Sequence, residues 1–409
     1  MHDLVSVARG QLVDALARAR DGELRRRTRL ERLGSVAEIR EAARRATPRV
    51  IFDFVDGGAS DEVTMRRNLE AFDRLALSPR YLVDVSDVDR STTVLGTRVE
   101  VPVIGAPTGL CGLVHLDGEA GLARAMQDSG SIYTLAGMSS YTIEEVREAA
   151  PTGRLWFQTY LWRDASIVDG LLARARESEY EALVVTVDVP RSSDRRRDRR
   201  HRFTVPPRLT PRSVVDGVRH PRWTRDLLKH SRVTAANISG LGDDAVRVAS
   251  YVDSQFDPSA SWDDLRSLRQ RWDGPLIVKG LLRADDAVRA VDLGAQGVVV
   301  SNHGGRQLDQ APATLDVLPQ VVDAVGDRAE VYLDSGVRRG SDVLKARALG
   351  ATACLVGRPI VWGLAVAGAA GARRAVDVLA GELDAAMMLT GQASFDSAGP
   401  DLVVGRTAS

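Results

Sequence analysis

Eight short apolar runs recur along the chain, and most of the gaps between them carry a helical pattern. Runs of this length that end in glycine or a polar residue are typical of buried parallel strands. Eight alternations of strand and helix predict an α/β protein with a closed (β/α)8 TIM barrel of about 250 residues. An open doubly wound sheet is disfavoured, because polar residues end nearly every run and not only those at one switch point. The predicted strands are Val101–Gly105, Ile132–Leu135, Leu155–Gln158, Leu183–Asp188, Pro275–Lys279, Gly297–Val300, Val331–Asp334 and Ala353–Gly357.

One gap between the predicted strands is much longer than the others. The strand starts are roughly 22 to 34 residues apart, but Leu183 and Pro275 are separated by 92 residues. We therefore expect a long loop insert after the fourth strand, at about 189–260, on the catalytic face of the barrel. Residues 191–232 of the insert are strongly basic. A lid over the site, a cationic patch that meets anionic lipid, and a solvated loop are the three interpretations.

The remaining segments flank the barrel. We expect residues 1–100 to form an N-terminal helical extension and barrel-capping segment, with a helix at 11–46. The barrel occupies 101–395 and closes with a helix around 373–390. Residues 396–409 form a C-terminal tail.

Composition limits the classes of partner and compartment. Hydrophobic residues make up 44% and charged residues 27% of the 409-residue chain, as expected of a globular protein with a large core. Lys plus Arg and Asp plus Glu are balanced at 55 each, so net charge indicates no nucleic-acid partner. The two cysteines, Cys111 and Cys354, fit a reducing compartment. No apolar stretch reaches membrane-spanning length, which predicts a cytoplasmic protein.

The most chemically informative motif is Ser301–Asp309, which directly follows the sixth strand. His303 brings a side chain that exchanges protons near neutral pH, and Arg306 a permanent planar charge suited to a carboxylate or phosphate. Chemistry in α/β barrels takes place at the carboxyl ends of the strands. A base beside an anion-binding group predicts proton abstraction from a small acidic substrate.

The last two strands end in glycine and arginine, within Asp334–Gly340 and Gly357–Pro359. These positions match the usual phosphate site of barrels, where backbone amides and a helix N-terminus bind the anion. With Lys279 across the mouth, the pattern predicts a phosphorylated cofactor.

The block Ser301–Asp309 and several shorter motifs resemble the FMN-dependent 2-hydroxy acid dehydrogenase/oxidase family, which includes glycolate oxidase, lactate dehydrogenase and mandelate dehydrogenase. The similarity covers roughly residues 35–395. In the insert, His220–Trp223 is similar to the mandelate dehydrogenase branch. The shorter motifs are Phe52–Ala59, Ala106–Gly109, Leu276–Gly280, Asp334–Gly340 and Gly357–Pro359.

The resemblance implies a role for each matching residue. His303 would take a proton from the substrate, and Asp188 would hold its imidazole and stabilise the charged form. Tyr160 would hydrogen-bond the substrate oxygen, and Lys279 would lie near flavin N1 and O2. The implied cofactor-binding residues are Pro107, Thr108, Gly109, Gln158, Thr186, Lys279, Ser301, Asp334, Gly336, Arg338, Gly357 and Arg358.

The substrate-binding residues implied by the resemblance depart in part from the family pattern. Arg306 and Arg195 would bind the substrate carboxylate. Phe54 stands where the family usually has a tyrosine, and Met138 replaces an aromatic residue, so the pocket is more apolar. Gly109 resembles the dehydrogenase branch, which favours an electron acceptor other than oxygen.

The sequence therefore predicts an FMN enzyme that oxidises a lactate- or mandelate-like 2-hydroxy acid to the 2-oxo acid. Its electrons would pass to oxygen, a quinone or another carrier. An FMN barrel that oxidises a larger biosynthetic intermediate is the alternative, and a scaffold without flavin is a third hypothesis. The resemblance further implies a homo-oligomer, commonly a tetramer, and the basic insert suggests weak peripheral membrane contact.

Overall fold

Eight parallel strands close into a barrel, as the sequence predicts. The computed structural model describes residues 30–201, 203, 211–229, 232–233, 235–238, 251 and 254–405. The strands are β1 (Leu75–Leu77), β2 (Thr92–Val94), β3 (Thr97–Val99), β4 (Val103–Gly105), β5 (Ile132–Ala136), β6 (Arg154–Tyr160), β7 (Ala182–Thr186), β8 (Leu276–Leu281), β9 (Gly297–Val300), β10 (Glu330–Asp334), β11 (Ala353–Val356) and β12 (Val403–Gly405). The barrel runs from β4 to β11 in chain order, and β11 pairs with β4 to close it.

Helices alternate with the barrel strands and cover their outer face. Three short helices before the barrel and three within the insert complete the set in the described part of the chain. They are α1 (Val36–Ala46), α2 (Arg49–Asp56), α3 (Val63–Asp73), α4 (Gly118–Asp128), α5 (Ile143–Ala149), α6 (Ala165–Glu177), α7 (Arg196–His201), α8 (Pro211–Arg219), α9 (Pro221–Lys229), α10 (Trp262–Arg271), α11 (Ala284–Asp292), α12 (Thr314–Val325), α13 (Gly340–Ala348) and α14 (Arg358–Thr390).

The barrel interior is a packed apolar core that is closed at its amino end. Trp156 and Tyr332 meet edge to face inside it, with ring centroids 5.7 Å apart. The β2–β3 hairpin adds Val94 to this inner cluster. Its backbone is bonded to the first residues of two strands: Arg154 donates to the Val94 carbonyl, and Glu330 accepts from the Leu95 amide. The hairpin therefore covers this end among the described residues, and a ligand site is expected at the carboxyl ends of the strands.

The amino-terminal segment covers part of that open end. The amide of Ala59 donates to the carbonyl of Gly305 at 2.8 Å. Arg40 and Arg197 both bind the buried carboxylate of Asp56, at 2.6 and 2.9 Å, and so join α2 to α1 and to the insert helix α7. The capping segment is thus fixed to the barrel and to the insert.

The ends of the chain differ from the sequence-based prediction. The helix expected around 373–390 begins at Arg358, because α14 continues through a break at Ala367 and Gly368. The expected tail contributes β12, which pairs antiparallel with β1. Of the helix expected at 11–46, the described part contains α1, and residues 1–29 lie outside the described residues. No helix in the described part is long and apolar enough to cross a membrane.

Candidate active site

The candidate catalytic base is held by a carboxylate from a neighbouring strand end. Nδ1 of His303 lies 3.0 Å from Oδ1 of Asp188, and the His303 amide donates to Oγ of Ser301 at 3.0 Å. His303 has a φ of 58°, an uncommon conformation outside glycine that often occurs at functional sites. A proton on Nδ1 shared with Asp188 leaves Nε2 free to accept a proton from a substrate.

The turn after His303 requires glycine at its centre. Gly305 has a φ of 70°, and a Cβ there would lie 2.6 Å from the Met65 amide nitrogen on α3. This close approach packs the catalytic turn against the amino-terminal helices.

A buried polar triad lies below the base. Nζ of Lys279 is 2.9 Å from Oγ of Ser301 and 2.8 Å from Oδ2 of Asp334, and Ser301 donates to the same carboxylate oxygen at 2.6 Å. Burial alone would raise the pKa of Asp334, but the Lys279 charge and these hydrogen bonds hold that pKa below its usual value. Lys279 is therefore an ordered cation in the barrel mouth.

Two arginines flank the ring of Phe54, and both guanidinium carbons lie 5.6 Å from its centroid. Arg306 donates to the carbonyls of Phe54 and Gly57, and no described carboxylate lies within ion-pair distance of it. Arg195 pairs through Nε with Asp198 at 3.4 Å. Burial, and then the charge of Arg195, lowers the pKa of Arg306. Two cations that share one carboxylate, Asp198, carry excess positive charge, which suits an incoming carboxylate.

A second cationic region lies at the ends of β10 and β11. Arg338 donates to the carbonyl of its neighbour Val337, and Arg358 donates to the carbonyls of residues 55–57 and of Gly304. Burial, and then the charge of Arg358, lowers the pKa of Arg338 to about 9. Both guanidiniums line a cavity of about 480 Å³ that also includes Gly336. Buried cations bonded mainly to carbonyls fit a phosphate group.

The remaining cofactor-binding candidates lie at the carboxyl ends of other barrel strands. Gly357, directly before α14, packs against Thr108, and a Cβ there would lie in ordinary contact at 3.4 Å from the Thr108 hydroxyl. Oγ1 of Thr186 is buried and has no hydrogen-bond partner among the described residues. Gln158 is buried and accepts from the Gly137 amide at 3.3 Å. These residues, with Pro107 next to Thr108, lie at or directly after the carboxyl ends of β4, β6, β7 and β11.

Gly109 and Met138 are in direct backbone contact at the edge of this site. A Cβ on Gly109 would lie 2.6 Å from the Met138 carbonyl oxygen, so alanine would require the two loops to separate. The structure thus gives a steric reason for glycine at this position.

Comparison with known proteins identifies the family of this chain. Residues 43–405 match the FMN-dependent dehydrogenase family. The chain belongs to this family. It is 42% identical to mouse 2-hydroxyacid oxidase 1 over 362 residues, which are 88% of this chain and 94% of the mouse protein. The similar solved structures include a monotopic membrane protein, (S)-mandelate dehydrogenase (TM-score 0.88, 37% identity, 91% of this chain and 100% of that one), and mandelate oxidase (TM-score 0.78, 40% identity, 91% of this chain and 98% of that one).

The cofactor of an FMN-dependent dehydrogenase fits the residues present. Arg338 and Arg358 match the charge of its phosphate, and the orphaned hydroxyl of Thr186 lies at the barrel mouth, where the flavin ring would lie. Lys279 would place a positive charge beside a bound flavin, where it would stabilise the reduced, anionic ring.

Sequence reasoning missed two residues of the site. Asp198, which pairs with Arg195, lies three positions after it on a helical segment, and that spacing could have suggested the pair. Phe203 stacks on Phe54 with ring centroids 4.7 Å apart. No periodicity points to Phe203, since it lies in the insert.

Proposed function

We propose that this chain oxidises a 2-hydroxy acid to the 2-oxo acid, with FMN as the electron acceptor for the substrate. The observation that carries the proposal is the His303–Asp188 pair together with two arginines, of which Arg195 pairs with Asp198 and Arg306 has no carboxylate partner among the described residues. Bound FMN supplies the two-electron oxidising power. The protein binds the acid through Arg306 and Arg195, and Nε2 of His303 takes the proton.

Two further side chains act on the substrate oxygen and the ring. Burial, and then the nearby carboxylate of Asp188, raises the pKa of the Tyr160 phenol, so the phenol keeps its proton and can donate it in a hydrogen bond. Lys279 contributes positive charge where the reduced ring carries negative charge.

The apolar surroundings of the arginine pair favour an acid with a bulky side chain. Phe54 and Phe203 stack at an interplanar angle of 28°, and Tyr160 meets Phe256 edge to face at 5.4 Å. Met138 adds a flexible apolar side chain. We therefore favour aryl 2-hydroxy acids such as mandelate over glycolate.

Anaerobic titration of the holoenzyme with glycolate, lactate and mandelate tests this function. We expect mandelate to bleach the flavin with the highest kcat/KM. Phe203→Ala should lower that value about tenfold for mandelate and less than about twofold for lactate, because only an aryl group contacts the ring. Bleaching by none of the acids would contradict the function and favour the larger-intermediate alternative. Fastest bleaching by glycolate would contradict the substrate preference alone.

The insert presents an apolar and basic surface that supports peripheral membrane contact. On α8, Val214, Val215 and Val218 are 51 to 73% exposed, and Leu228 on α9 is 80% exposed. Arginines 219, 222 and 225 and Lys229 are exposed on the same two helices. Trp223, in contrast, points inward and donates to the Leu113 carbonyl at 2.9 Å, so it anchors α9 instead of facing lipid. We propose that α8 and α9 bind anionic bilayers weakly.

Co-sedimentation with vesicles containing phosphatidylglycerol tests this surface. The double change Val218→Asp with Leu228→Asp should weaken binding about tenfold, since it removes apolar contact and adds negative charge. The matched control is Val404→Asp, an exposed valine of β12 far along the chain from the insert. Equal binding of all three proteins would refute the membrane proposal.

A second exposed patch supports the proposed homo-oligomer. Tyr81 and Leu82 are 80% and 107% exposed, and the adjoining end of α14 exposes Leu389 at 76%. The two segments touch where the Arg80 amide donates to the Thr390 carbonyl. Exposed apolar patches mark association surfaces. We propose that copies of this chain meet at this patch in a homo-oligomer such as a tetramer.

A further inference from the structure

The loops that follow β4 and β5 are joined to each other along the candidate flavin site. The Leu110 amide donates to the Met138 carbonyl at 3.2 Å, and the Gly112 amide donates to Oγ of Ser140 at 3.2 Å. The first loop carries Thr108 and Gly109, which the family resemblance sets against the flavin. The second carries Met138 of the substrate pocket. Their separation therefore determines the width of the site at this edge.

A buried carboxylate bridges these two loops from behind. Glu119, on the first turn of α4, is 0% exposed, and its Oε1 accepts from the Cys111 amide at 2.9 Å and from the Ser140 amide at 3.0 Å. Oε2 is buried without a hydrogen-bond partner in the described part of the chain. A single carboxylate oxygen, Oε1 of Glu119, thus accepts a hydrogen bond from one backbone amide of each loop. Glu119 takes no part in the proposed proton transfer or in binding of the substrate carboxylate.

The groups that face Glu119 leave it poorly compensated. The thiol of Cys111 and the phenol of Tyr133 face it, and burial raises the pKa of both far enough that they stay neutral. Tyr141 faces it from the second loop, and burial also raises the pKa of that phenol. The one facing cation among the described residues is Arg232 of the insert, which forms an ion pair with Glu145 at 2.9 Å.

Burial in these surroundings raises the pKa of Glu119 to about 7, against the opposing effect of the two amide bonds and of Arg232. Below this value the carboxyl group is neutral, and above it the group is a carboxylate. A carboxylate accepts hydrogen bonds from amides about twice as strongly as a neutral carbonyl. The loop-to-loop bridge is therefore stronger above neutral pH than below it.

We propose that Glu119 is a positioning residue for flavin reduction: its carboxylate draws the Thr108–Gly109 loop and the Met138 loop together and so fixes the edge of the site where substrate and flavin meet. The inference rests on the proposed function, because it assigns that edge to the flavin. Glu119 contacts neither substrate nor cofactor. It acts through the two backbone amides.

Glu119→Gln separates the charge of this side chain from its shape, because the amide oxygen can still accept from both loops. The test is the rate of anaerobic flavin reduction by mandelate, measured for the wild-type and E119Q holoenzymes from pH 5.5 to 8.5. The ratio of the two rates should be close to one at the acid end and about tenfold at the alkaline end, with a midpoint near pH 7. Taking the ratio cancels every pH effect that the two proteins share.

Glu144→Gln is the matched control, since it removes a carboxylate of α5 that pairs with Arg174, not with Arg232, and binds neither Cys111 nor Ser140. Its ratio to wild type should stay near one at every pH. A ratio for E119Q that is independent of pH, or a pH-dependent ratio for E144Q of the same size, would overturn the proposal. A purely structural role predicts the former.

Two further outcomes are distinguishable. A wild-type enzyme that mandelate, lactate and glycolate all fail to reduce refutes the proposed function and not the bridge. In that case, or if E119Q does not fold, hydrogen exchange of the wild-type protein tests whether Glu119 bridges the two loops. In the wild type, protection of the 108–112 backbone, corrected for intrinsic rates, should rise about tenfold from pH 6 to 8. Unchanged protection would refute it.

Discussion

Replacing His303 with alanine is expected to slow anaerobic flavin reduction by the best hydroxy acid about 10³-fold, while the protein stays yellow. A positioned general base contributes roughly 10² to 10⁴ in rate. At the barrel mouth His303 is the proposed base, and Asp188 orients its imidazole. Stopped-flow absorbance of the flavin measures the rate, and fluorescence of released FMN measures retention.

His220→Ala is the control for this experiment. His220 lies between α8 and α9 in the insert and bonds the Asp216 carbonyl, outside the barrel mouth. It should change flavin reduction less than about twofold. If H303A retained a wild-type rate, the base would be another residue. If H303A lost its FMN, the 10³-fold expectation would have to be tested with added FMN.

The second large effect is expected at Arg306. Arg306→Met should lower kcat/KM for the acid by roughly 10² to 10³, because a bidentate, charge-assisted contact to the substrate carboxylate is lost from a buried site. Arg306→Lys keeps the charge without the planar fork and should recover only part of the loss. Steady-state assays with an artificial dye acceptor measure both variants.

A neutral substrate shows whether this loss comes from the carboxylate contact. With the primary amide of the same hydroxy acid, wild type and R306M should differ by less than about tenfold, since no charge pairs with the guanidinium. Arg199→Met, an exposed arginine of α7 paired with Asp194, should leave the acid kinetics unchanged. An equal loss for acid and amide would indicate that Arg306 acts by holding the Phe54 and Gly57 carbonyls, and would contradict its role in carboxylate binding.

The barrel was predictable because each strand is a short apolar run that ends in glycine or a polar residue. The Gly297–Val300 strand agrees at both ends with the prediction, and the closed eight-stranded topology is confirmed. The ends of the chain were less predictable. The pairing of β12 with β1 joins segments more than 300 residues apart, and no local pattern in a three-residue strand indicates a partner at that distance.

The candidate site divides along the same line. His303 and Arg358 follow strands, and Lys279 lies near the carboxyl end of β8, so position along the chain pointed to them. Phe203 and Glu119 gave no such signal, because their importance arises from contacts that only the folded chain creates: a ring stacked on Phe54 and a carboxylate behind two loops. Tertiary packing, which composition and periodicity do not encode locally, decides those positions.

The segment 54–59, whose carbonyls receive Arg306 and Arg358, has a consequence for protein engineering. Backbone oxygens from outside the barrel hold both guanidiniums, and Arg358 also donates to the Gly304 carbonyl within the barrel. Consider a chimera that takes its barrel from this chain and its first hundred residues from a distant relative. The carbonyls that position the two anion-binding arginines would then come from the relative, and the geometry of the anion site would change. Segment exchange within this family should move the stretch from Val36 to Ser60 together with the barrel as one heritable block.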